Sequence, residues 1–230
     1  MKIIWLGHSS FRIEIGDQVL LVDPWLTGNP MFPADRREEA LSGATHILVS
    51  HGHGDHVGEA AAISKDLSIP VACVHELSKL LSADDGVDTI GFGKGGTIKL
   101  GDVSVTMVNA VHSSSIDYKG GIQYAGGEAG FMIAGEDHTI YFTGDTDVMA
   151  DMKVFNDLHA PDIGILCAGG HYTMDMRRAA YAANTFFDFK TIIPCHYRTF
   201  PILAQSAAEL IAAVPSANVI EPEVLKPIEM

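Results

Sequence analysis

The segment Ser50-His51-Gly52-His53-Gly54-Asp55-His56 constrains this chain more than any other part of its sequence. It follows the apolar run 47–49 and precedes a helical pattern that begins near Val57. Ligand-type side chains can converge on such a turn because glycine lets the backbone fold tightly without Cβ clashes. Imidazole and carboxylate groups suit zinc, iron, manganese and related divalent ions. A polar loop that is merely rich in histidine would not need to follow a buried strand, so we interpret the segment as a metal-binding turn.

The composition is that of a single globular domain, which we expect to span residues 1–230. Apolar residues make up 47% of the chain, enough for a sizeable core, and no linker or low-complexity tract divides it. The apolar stretches are too short to span a membrane and the N-terminus lacks a signal-peptide pattern, so we expect a cytoplasmic protein without a membrane partner. A formal net charge of −14 with no cluster of basic residues argues against nucleic acid as a partner.

The three cysteines, Cys73, Cys167 and Cys195, lie far apart, each near the end of an apolar run. An odd count without CxxC spacing argues against a disulfide framework and favours buried thiols in a reducing compartment. Cys195 precedes His196, but no base lies at a spacing suited to a thiol nucleophile. We therefore interpret Cys195 as a packing residue.

The order of the secondary-structure patterns predicts the fold class. Strand-like runs lie at 2–6, 11–15, 19–23, 46–50, 70–74, 103–108, 130–134, 139–143, 163–167 and 191–194, and helical patterns at 58–65, 76–82, 146–158, 174–187 and 201–213. Two β-rich sets, each followed by helices, predict an α/β protein in which two sheets pack face to face with helices on both outer faces. The order also fits a loose internal duplication whose halves meet near residues 110–125, although no repeated residues support it.

Three further ligand-type residues, His112, Asp145 and His196, follow strand-like runs later in the chain. Each alone has an ordinary explanation, since Asp145 could cap a helix and either histidine could lie in a loop. In this order after His51-x-His53-x-Asp55-His56, however, they resemble the pattern of the metallo-β-lactamase superfamily. The resemblance covers nearly the whole chain.

This resemblance implies an αββα sandwich of two mixed sheets and a binuclear metal site. Residue by residue, His51, His53 and His112 would hold one ion, Asp55, His56 and His196 the second, and Asp145 would bridge them. The expected cofactor is a pair of divalent ions, zinc first, with manganese, iron and nickel left open because the same nitrogen and oxygen ligands accept them all.

A pair of divalent ions favours hydrolysis, because together they lower the pKa of a bound water and polarise the electrophile. Asp55 would also orient the attacking water and could collect a proton, which makes it a catalytic candidate. Three alternatives stay open: a di-iron oxidoreductase, a mononuclear-iron oxidoreductase and a ribonuclease-type phosphodiesterase. Relatives that hold di-iron for flavin-linked electron transfer usually carry Glu where this chain has His53, which favours the hydrolase.

Further segments resemble one branch of the superfamily, the small bacterial metal-dependent hydrolases related to L-ascorbate-6-phosphate lactonase. They are Leu6-Gly7-His8-Ser9-Ser10-Phe11, Val22-Asp23-Pro24-Trp25-Leu26, His112-Ser113-Ser114-Ser115, Ala129-Gly130-Phe131, Gly170-His171-Tyr172-Thr173-Met174 and Pro194-x-His196-Tyr197-x-Thr199-Phe200-Pro201. The branch implies a small-molecule substrate with an ester-type bond: a lactone, a phosphoester or a thioester. An anionic substrate and a homo-oligomer are both left open.

His8 and His171 are the other catalytic candidates, since each follows a strand-like run and histidine titrates near neutral pH, as a general acid should. Either could equally be a loop histidine bonded to backbone. The remaining candidates are Asp23 as a support for a metal-bound histidine, Arg198 as an anion clamp, and the loop 113–121, with Ser113–Ser115, Tyr118, Gly120 and Gly121, as a donor of hydroxyl and N–H groups. For Arg198 and the loop, an ordinary surface role is the competing interpretation.

Overall fold

Most of the regular structure consists of short strands. In this computed structural model, which describes residues 1–84, 86–118 and 120–230, the strands are β1 (Lys2–Gly7), β2 (Ser10–Ile15), β3 (Gln18–Val22), β4 (His46–Leu48), β5 (Val71–Val74), β6 (Thr89–Phe92), β7 (Thr97–Leu100), β8 (Val103–Asn109), β9 (Ser115–Tyr118), β10 (Gly121–Tyr124), β11 (Ala129–Gly135), β12 (His138–Phe142), β13 (Ile163–Cys167), β14 (Thr191–Cys195), β15 (Asn218–Val219) and β16 (Pro227–Glu229). They form two seven-stranded sheets and one two-stranded hairpin, β9–β10.

The two large sheets repeat one topology. The first has the order β16-β1-β2-β3-β4-β5-β6 and the second β15-β14-β13-β12-β11-β8-β7. When the second sheet is followed in reverse, from β7 to β15, each sheet has three antiparallel pairings followed by three parallel ones. The topology thus carries the internal duplication that the element order suggested. The halves meet between Phe92 and Thr97, however, and the expected junction near 110–125 is wrong.

The helices cover the outer faces of the sheets. They are α1 (Arg37–Leu41), α2 (Gly54–Val57), α3 (Ala60–Leu67), α4 (His75–Asp84), α5 (Asp151–His159), α6 (Met176–Phe186) and α7 (Ala208–Ala213), with a 3₁₀ turn at Ala34–Arg36. On the first sheet α3 and α4 lie against β5, and on the second the ring of Phe155 in α5 meets that of Tyr141 in β12 at 6.0 Å. None of these helices is both long and apolar enough to cross a bilayer.

Side chains of both sheets share a core cluster that fills the space between them. Phe11 of β2 meets Phe142 of β12 edge to face at 6.1 Å, and Phe92 of β6 stacks on Phe131 of β11 at 6.3 Å. Every residue of β5, β13 and β14 is buried, as expected for parallel strands covered on both faces. The predicted αββα sandwich is confirmed.

Strand direction decides where the functional residues gather. β1, β3 and β4 run in one direction within the first sheet, as do β8, β12, β13 and β14 in the second. The segments after these strands carry the candidate residues His8, Asp23, His51, His112, Asp145, His171 and His196. Segments that are far apart in the sequence therefore meet at the carboxyl ends of the strands.

Candidate metal centre

The turn after β4 is held in place from both sides. The buried carboxylate of Asp23 accepts the backbone N–H of Ser50 at 2.7 Å and its hydroxyl at 2.6 Å. A Cβ on Gly52 would lie 2.5 Å from Cβ of Ala125 and 2.9 Å from the carbonyl oxygen of Ser115, whereas a Cβ on Gly54 would meet no atom within 4 Å. Gly52 is therefore required by close packing against Ser115 and Ala125. From the sequence, both glycines are expected to avoid Cβ clashes in a tight turn. At Gly54 a Cβ would meet no atom, so that reason does not apply there.

Three imidazoles converge on one side of the site: His51, His53 and His112 each offer a nitrogen, and these nitrogens lie within 4.8 Å of one another. Nε2 of His51 is 3.0 Å from Nδ1 of His53. Burial lowers the pKa of all three rings, so that they are neutral at pH 7 and present lone pairs. This is the protonation state that a metal ligand needs.

A second group of ligand atoms lies within 4.8 Å of one another beside the first: those of His8, Asp55, His56 and His196. Asp145 lies between the groups, with its Oδ2 3.3 Å from Nε2 of His56, 3.2 Å from Nε2 of His196 and 3.6 Å from Nε2 of His112. The structure thus brings together all seven ligands that the sequence predicts. Asp145 has the position that the bridging role requires.

Two buried atoms of this centre indicate that the ligands fit a metal. Nε2 of His56 and Oδ1 of Asp145 have no hydrogen-bond partner in adequate geometry among the described residues. Leaving buried polar atoms unpaired costs about 1–3 kcal/mol each, so a folded protein rarely tolerates it without a ligand. An imidazole nitrogen and a carboxylate oxygen are both donors that divalent transition metals accept.

The carboxylates of the centre favour positive charge on the groups around them. Burial alone would lower the pKa of His196, but the carboxylates of Asp145 and Asp55 raise it to about 9. Asp145 and Asp23 likewise raise the pKa of the buried His56 well above its usual value. Burial opposes ionisation of Asp145, yet His196 and His56 hold its pKa well below its usual value. A centre whose carboxylates favour neighbouring positive charge in this way suits divalent cations.

Three residues of the centre have left-handed backbones that favour glycine: His8 with φ of 53°, Asp23 with 47° and His196 with 55°. Such conformations cost of order 1–3 kcal/mol each and cluster at functional sites. Gly169 leaves room for the left-handed backbone of His196, because a Cβ at position 169 would lie 1.8 Å from the carbonyl oxygen of His196. Local strain at this edge is therefore tolerated in order to aim side chains inward.

Asp23 and His8 support the ligands from behind. Oδ2 of Asp23 accepts from Nδ1 of His56 at 2.7 Å, so the predicted support of a metal-bound histidine has a geometric basis. His8 is fully buried, with Nε2 2.9 Å from Oδ2 of Asp55 and Nδ1 2.8 Å from Oγ1 of Thr199. Because a carboxylate only accepts, Nε2 carries the proton in the neutral ring and Nδ1 accepts from Thr199. Burial lowers the pKa of His8 to about 4, consistent with a neutral ring.

Other candidates lie outside the centre. His171 is exposed and lines a neighbouring groove with Asp147 and Arg178, and the structure does not bring it to the ligands. Arg198 is also exposed, with its guanidinium 5.9 Å from the centre of the Tyr197 ring.

The loop candidates divide between the centre and a hairpin. Oγ of Ser113 is 3.5 Å from Nε2 of His53, and Oγ of Ser114 accepts the N–H of Gly52 at 3.2 Å. Ser115, Tyr118 and Gly121 belong to the hairpin β9–β10, and Gly120 to its turn. Serine hydroxyls therefore do lie at the ligands, while the rest of the loop forms the hairpin.

The cysteines are free and buried, as predicted. Burial raises the pKa of Cys73 to about 12 and of Cys167 to about 11, and that of Cys195 well above its usual value. These thiols are therefore protonated at neutral pH. Cys195 is a packing residue next to His196.

A cavity of about 420 Å³ opens onto the ligands, lined by Trp25, His53, Asp55, His112, Ser113, Asp145, Tyr172, His196 and Phe200. Sequence reasoning assigned no role to Trp25, Tyr172, Thr199 or Phe200, although all four lie in the segments quoted above for the branch resemblance. Only their position in the sequence could have pointed to them. Each lies within a few residues of the end of a strand, near a predicted ligand or a glycine. Their side-chain chemistry alone gave no reason to single them out.

Comparison with known proteins gives a consistent result. A family model described as "Beta-lactamase superfamily domain" matches residues 2–196. Proteins described as UPF0173 metal-dependent hydrolases from Dinoroseobacter shibae and Paracoccus denitrificans are 66% and 60% identical to this chain, and each alignment covers 100% of both chains. Among solved structures, Igni18, a metallo hydrolase from Ignicoccus hospitalis, matches with a TM-score of 0.85 and 28% identity, over 99% of this chain and 97% of that one.

Proposed function

The chain belongs to the metallo-β-lactamase superfamily, and from that premise we propose that it hydrolyses an ester-type bond of a small molecule at a binuclear metal centre. One observation carries the proposal. Seven imidazole and carboxylate side chains from four separate segments converge, and a buried nitrogen and a buried oxygen among them lack a partner among the described residues. The names of the close relatives, as metal-dependent hydrolases, support the same reaction class.

His51, His53 and His112 would hold one ion and Asp55, His56 and His196 the other, with Asp145 shared between them. When bound, such a pair of divalent ions supplies a water of lowered pKa and polarises the substrate oxygen. Zinc suits this set of nitrogen and oxygen ligands, and manganese, iron and nickel remain candidates.

Asp55 has the position of a catalytic carboxylate. It is half-buried, lines the cavity, and accepts a hydrogen bond at Oδ2 from Nε2 of His8, which holds the carboxylate in place. Burial opposes its ionisation, but hydrogen bonds from His196 and His8 hold the pKa of Asp55 below its usual value. The carboxylate therefore enters the reaction ionised and can orient a water and accept its proton.

We assign His8 a positioning role, because its fully buried ring acts on the cavity through Asp55. His171 has no part in this proposal, since its side chain lies in the neighbouring groove. Buried free thiols suit a reducing compartment, and we propose that the protein works in the cytoplasm.

The test combines metal analysis of the purified protein with a screen of lactones, thioesters and bis-p-nitrophenyl phosphate. We expect metal-dependent hydrolysis that Asp55→Ala and His53→Ala abolish, with the metal content of His53→Ala reduced. His75→Ala is the matched control, because His75 is exposed at the start of α4 and should leave activity and metal content unchanged. Full activity and metal content in both site variants would show that the centre is assigned wrongly. Turnover only with iron and oxygen, or only with RNA, would favour the oxidoreductase or the ribonuclease instead.

A further inference from the structure

The cavity at the metal centre has two chemically different walls. One consists of ligand side chains, and the other of the rings of Trp25, Phe200 and Tyr172. Trp25 and Phe200 are half-buried, and Tyr172 is 57% exposed. Apolar rings that remain partly exposed beside a polar site gain free energy when a substrate covers them.

The ring wall is pre-organised. The rings of Trp25 and Phe200 lie 6.1 Å apart at 32°, and both meet the buried ring of His8 edge-on, at 5.3 and 5.7 Å. The backbone N–H of Trp25 donates to the hydroxyl of Ser10 at 3.0 Å, and the carbonyl of Phe200 accepts from the side chain of Gln205 at 2.9 Å. A wall fixed in this way binds a flat group without a large ordering cost.

The side chains of this cavity that the structure describes include no lysine or arginine to pair with an anionic substrate. Arg178, in the neighbouring groove, donates to both carboxylate oxygens of Asp147 at 2.7 and 2.8 Å, so its charge is already paired.

The acidic groups of the centre offset the charge of the ions themselves. Asp55 and Asp145 are proposed ligands, Asp23 bonds the proposed ligand His56, and Glu128 accepts the backbone N–H of His112 at 3.1 Å. Their four carboxylates would balance the four positive charges of two divalent ions. Phosphate recognition normally relies on Arg or Lys donors, which the described lining does not contain.

We infer that the substrate is an uncharged carboxylic ester, most simply a lactone, whose scissile bond adjoins an aromatic or similarly flat apolar group, and that Trp25 and Phe200 select it. This inference rests on the proposed hydrolase function. In the reaction a water oxygen bonds the acyl carbon and the bond from that carbon to the alkoxy oxygen breaks. The leaving oxygen takes one proton, and the new carboxylic acid loses one at neutral pH. The cavity volume of about 420 Å³ suits a molecule of this size.

The experiment compares three lactones on the metal-loaded protein: dihydrocoumarin, δ-valerolactone, which lacks the fused aromatic ring, and 6-phosphogluconolactone. Rates are normalised to those of the uncatalysed reaction. We expect dihydrocoumarin to be preferred, and Trp25→Leu and Phe200→Leu each to lower its kcat/KM about 10- to 100-fold, with a much smaller loss for δ-valerolactone. Tyr181→Leu is the matched control, because Tyr181 is 58% exposed on α6 and outside this cavity.

Binding is measured separately with the lactam 3,4-dihydro-2-quinolinone, which should quench tryptophan fluorescence in the parent protein and not in Trp25→Leu. Metal content should be the same in all variants. Preference for the phosphorylated lactone, or an aromatic preference that survives in both cavity variants, would overturn the inference. Hydrolysis without aromatic preference would refute only the substrate class. Binding of the lactam without hydrolysis of any ester would refute the hydrolase function and leave the aromatic subsite standing.

Discussion

The two glycines of the metal-binding turn should respond in opposite ways to alanine. A Cβ at Gly52 would lie 2.5 Å from Cβ of Ala125 and 2.9 Å from the carbonyl oxygen of Ser115, and neither atom belongs to a flexible side chain. Apolar carbon contacts normally begin at about 3.5 Å, so Gly52→Ala must displace the turn or the facing segment by about 1 Å. Gly54 begins α2, and a Cβ there meets no atom within 4 Å.

The magnitudes follow from these contacts. Overpacking of a buried site costs about 1–3 kcal/mol, whereas Gly→Ala at a compatible position stabilises by about 0.4–1 kcal/mol. The variants should therefore differ by about 1.5–4 kcal/mol in the free energy of unfolding. The turn carries His51 and His53, and a displacement of about 1 Å near reacting groups can lower turnover about 100-fold. Gly52→Ala should thus lose activity as well as stability.

The assay is urea unfolding of the metal-free proteins, followed by metal analysis and turnover of the loaded ones. A Gly52→Ala protein as stable, as metal-rich and as active as the parent would refute the packing of the turn against Ser115 and Ala125. An equal loss of stability and activity in Gly54→Ala would refute the statement that a Cβ at position 54 meets no other atom.

Four further outcomes are expected. Thr199→Val removes the hydroxyl that bonds Nδ1 of His8, so kcat should fall with metal content retained, and Thr199→Ser should restore it. Chelation of the metals should lower the melting temperature, since a ligand present at 1,000 times its Kd stabilises a protein by about 4 kcal/mol. Burial opposes ionisation of Asp162, but hydrogen bonds from Thr139 and His138 lower its pKa, so its stabilising effect is present above the unfolded pKa of about 4 and is lost as the pH falls through the native pKa. Urea unfolding should therefore show Asp162→Asn less stable than the parent at pH 7, with the difference shrinking below about pH 4. Because burial raises the pKa of all three cysteines, a thiol reagent should label the protein only after unfolding.

The convergence of the predicted metal ligands could be anticipated because chemistry restricts which residues can serve as ligands and strand direction restricts where they lie. Only a few residue types bind divalent metals, and each predicted ligand follows a strand whose apolar run is visible in the sequence. The buried parallel strands β5, β13 and β14 were predicted within one residue of their bounds for the same reason. The edge strands β6 and β7 were missed, because half-exposed strands at the margins of a sheet have a weak apolar pattern.

Two helices were predicted too long, because distant parts of the chain compete for their backbone groups. The pattern at 146–158 predicts one helix, but the N–H of Asp147 donates to the carbonyl of Val111 and the carbonyl of Thr146 accepts from Met174, so α5 begins only at Asp151. Similarly, Ala204 donates to the carbonyl of Gly169, and α7 begins at Ala208. Such long-range hydrogen bonds have no local sequence signature.

Substrate selection was hidden from the sequence for a different reason. Trp25 and Phe200 are 175 positions apart and follow strands of different sheets, and their rings lie 6.1 Å apart where both contact the ring of His8. Many apolar side chains could form such a wall. The residue types of Trp25 and Phe200 therefore do not indicate a role in substrate selection, whereas a histidine can indicate a metal ligand. The same buried imidazole that orients Asp55 thus also sets the spacing of the rings opposite it. A change at His8 should therefore alter both reaction rate and substrate preference, whereas a change at Thr199, whose hydroxyl bonds Nδ1 of His8, should alter mainly the rate.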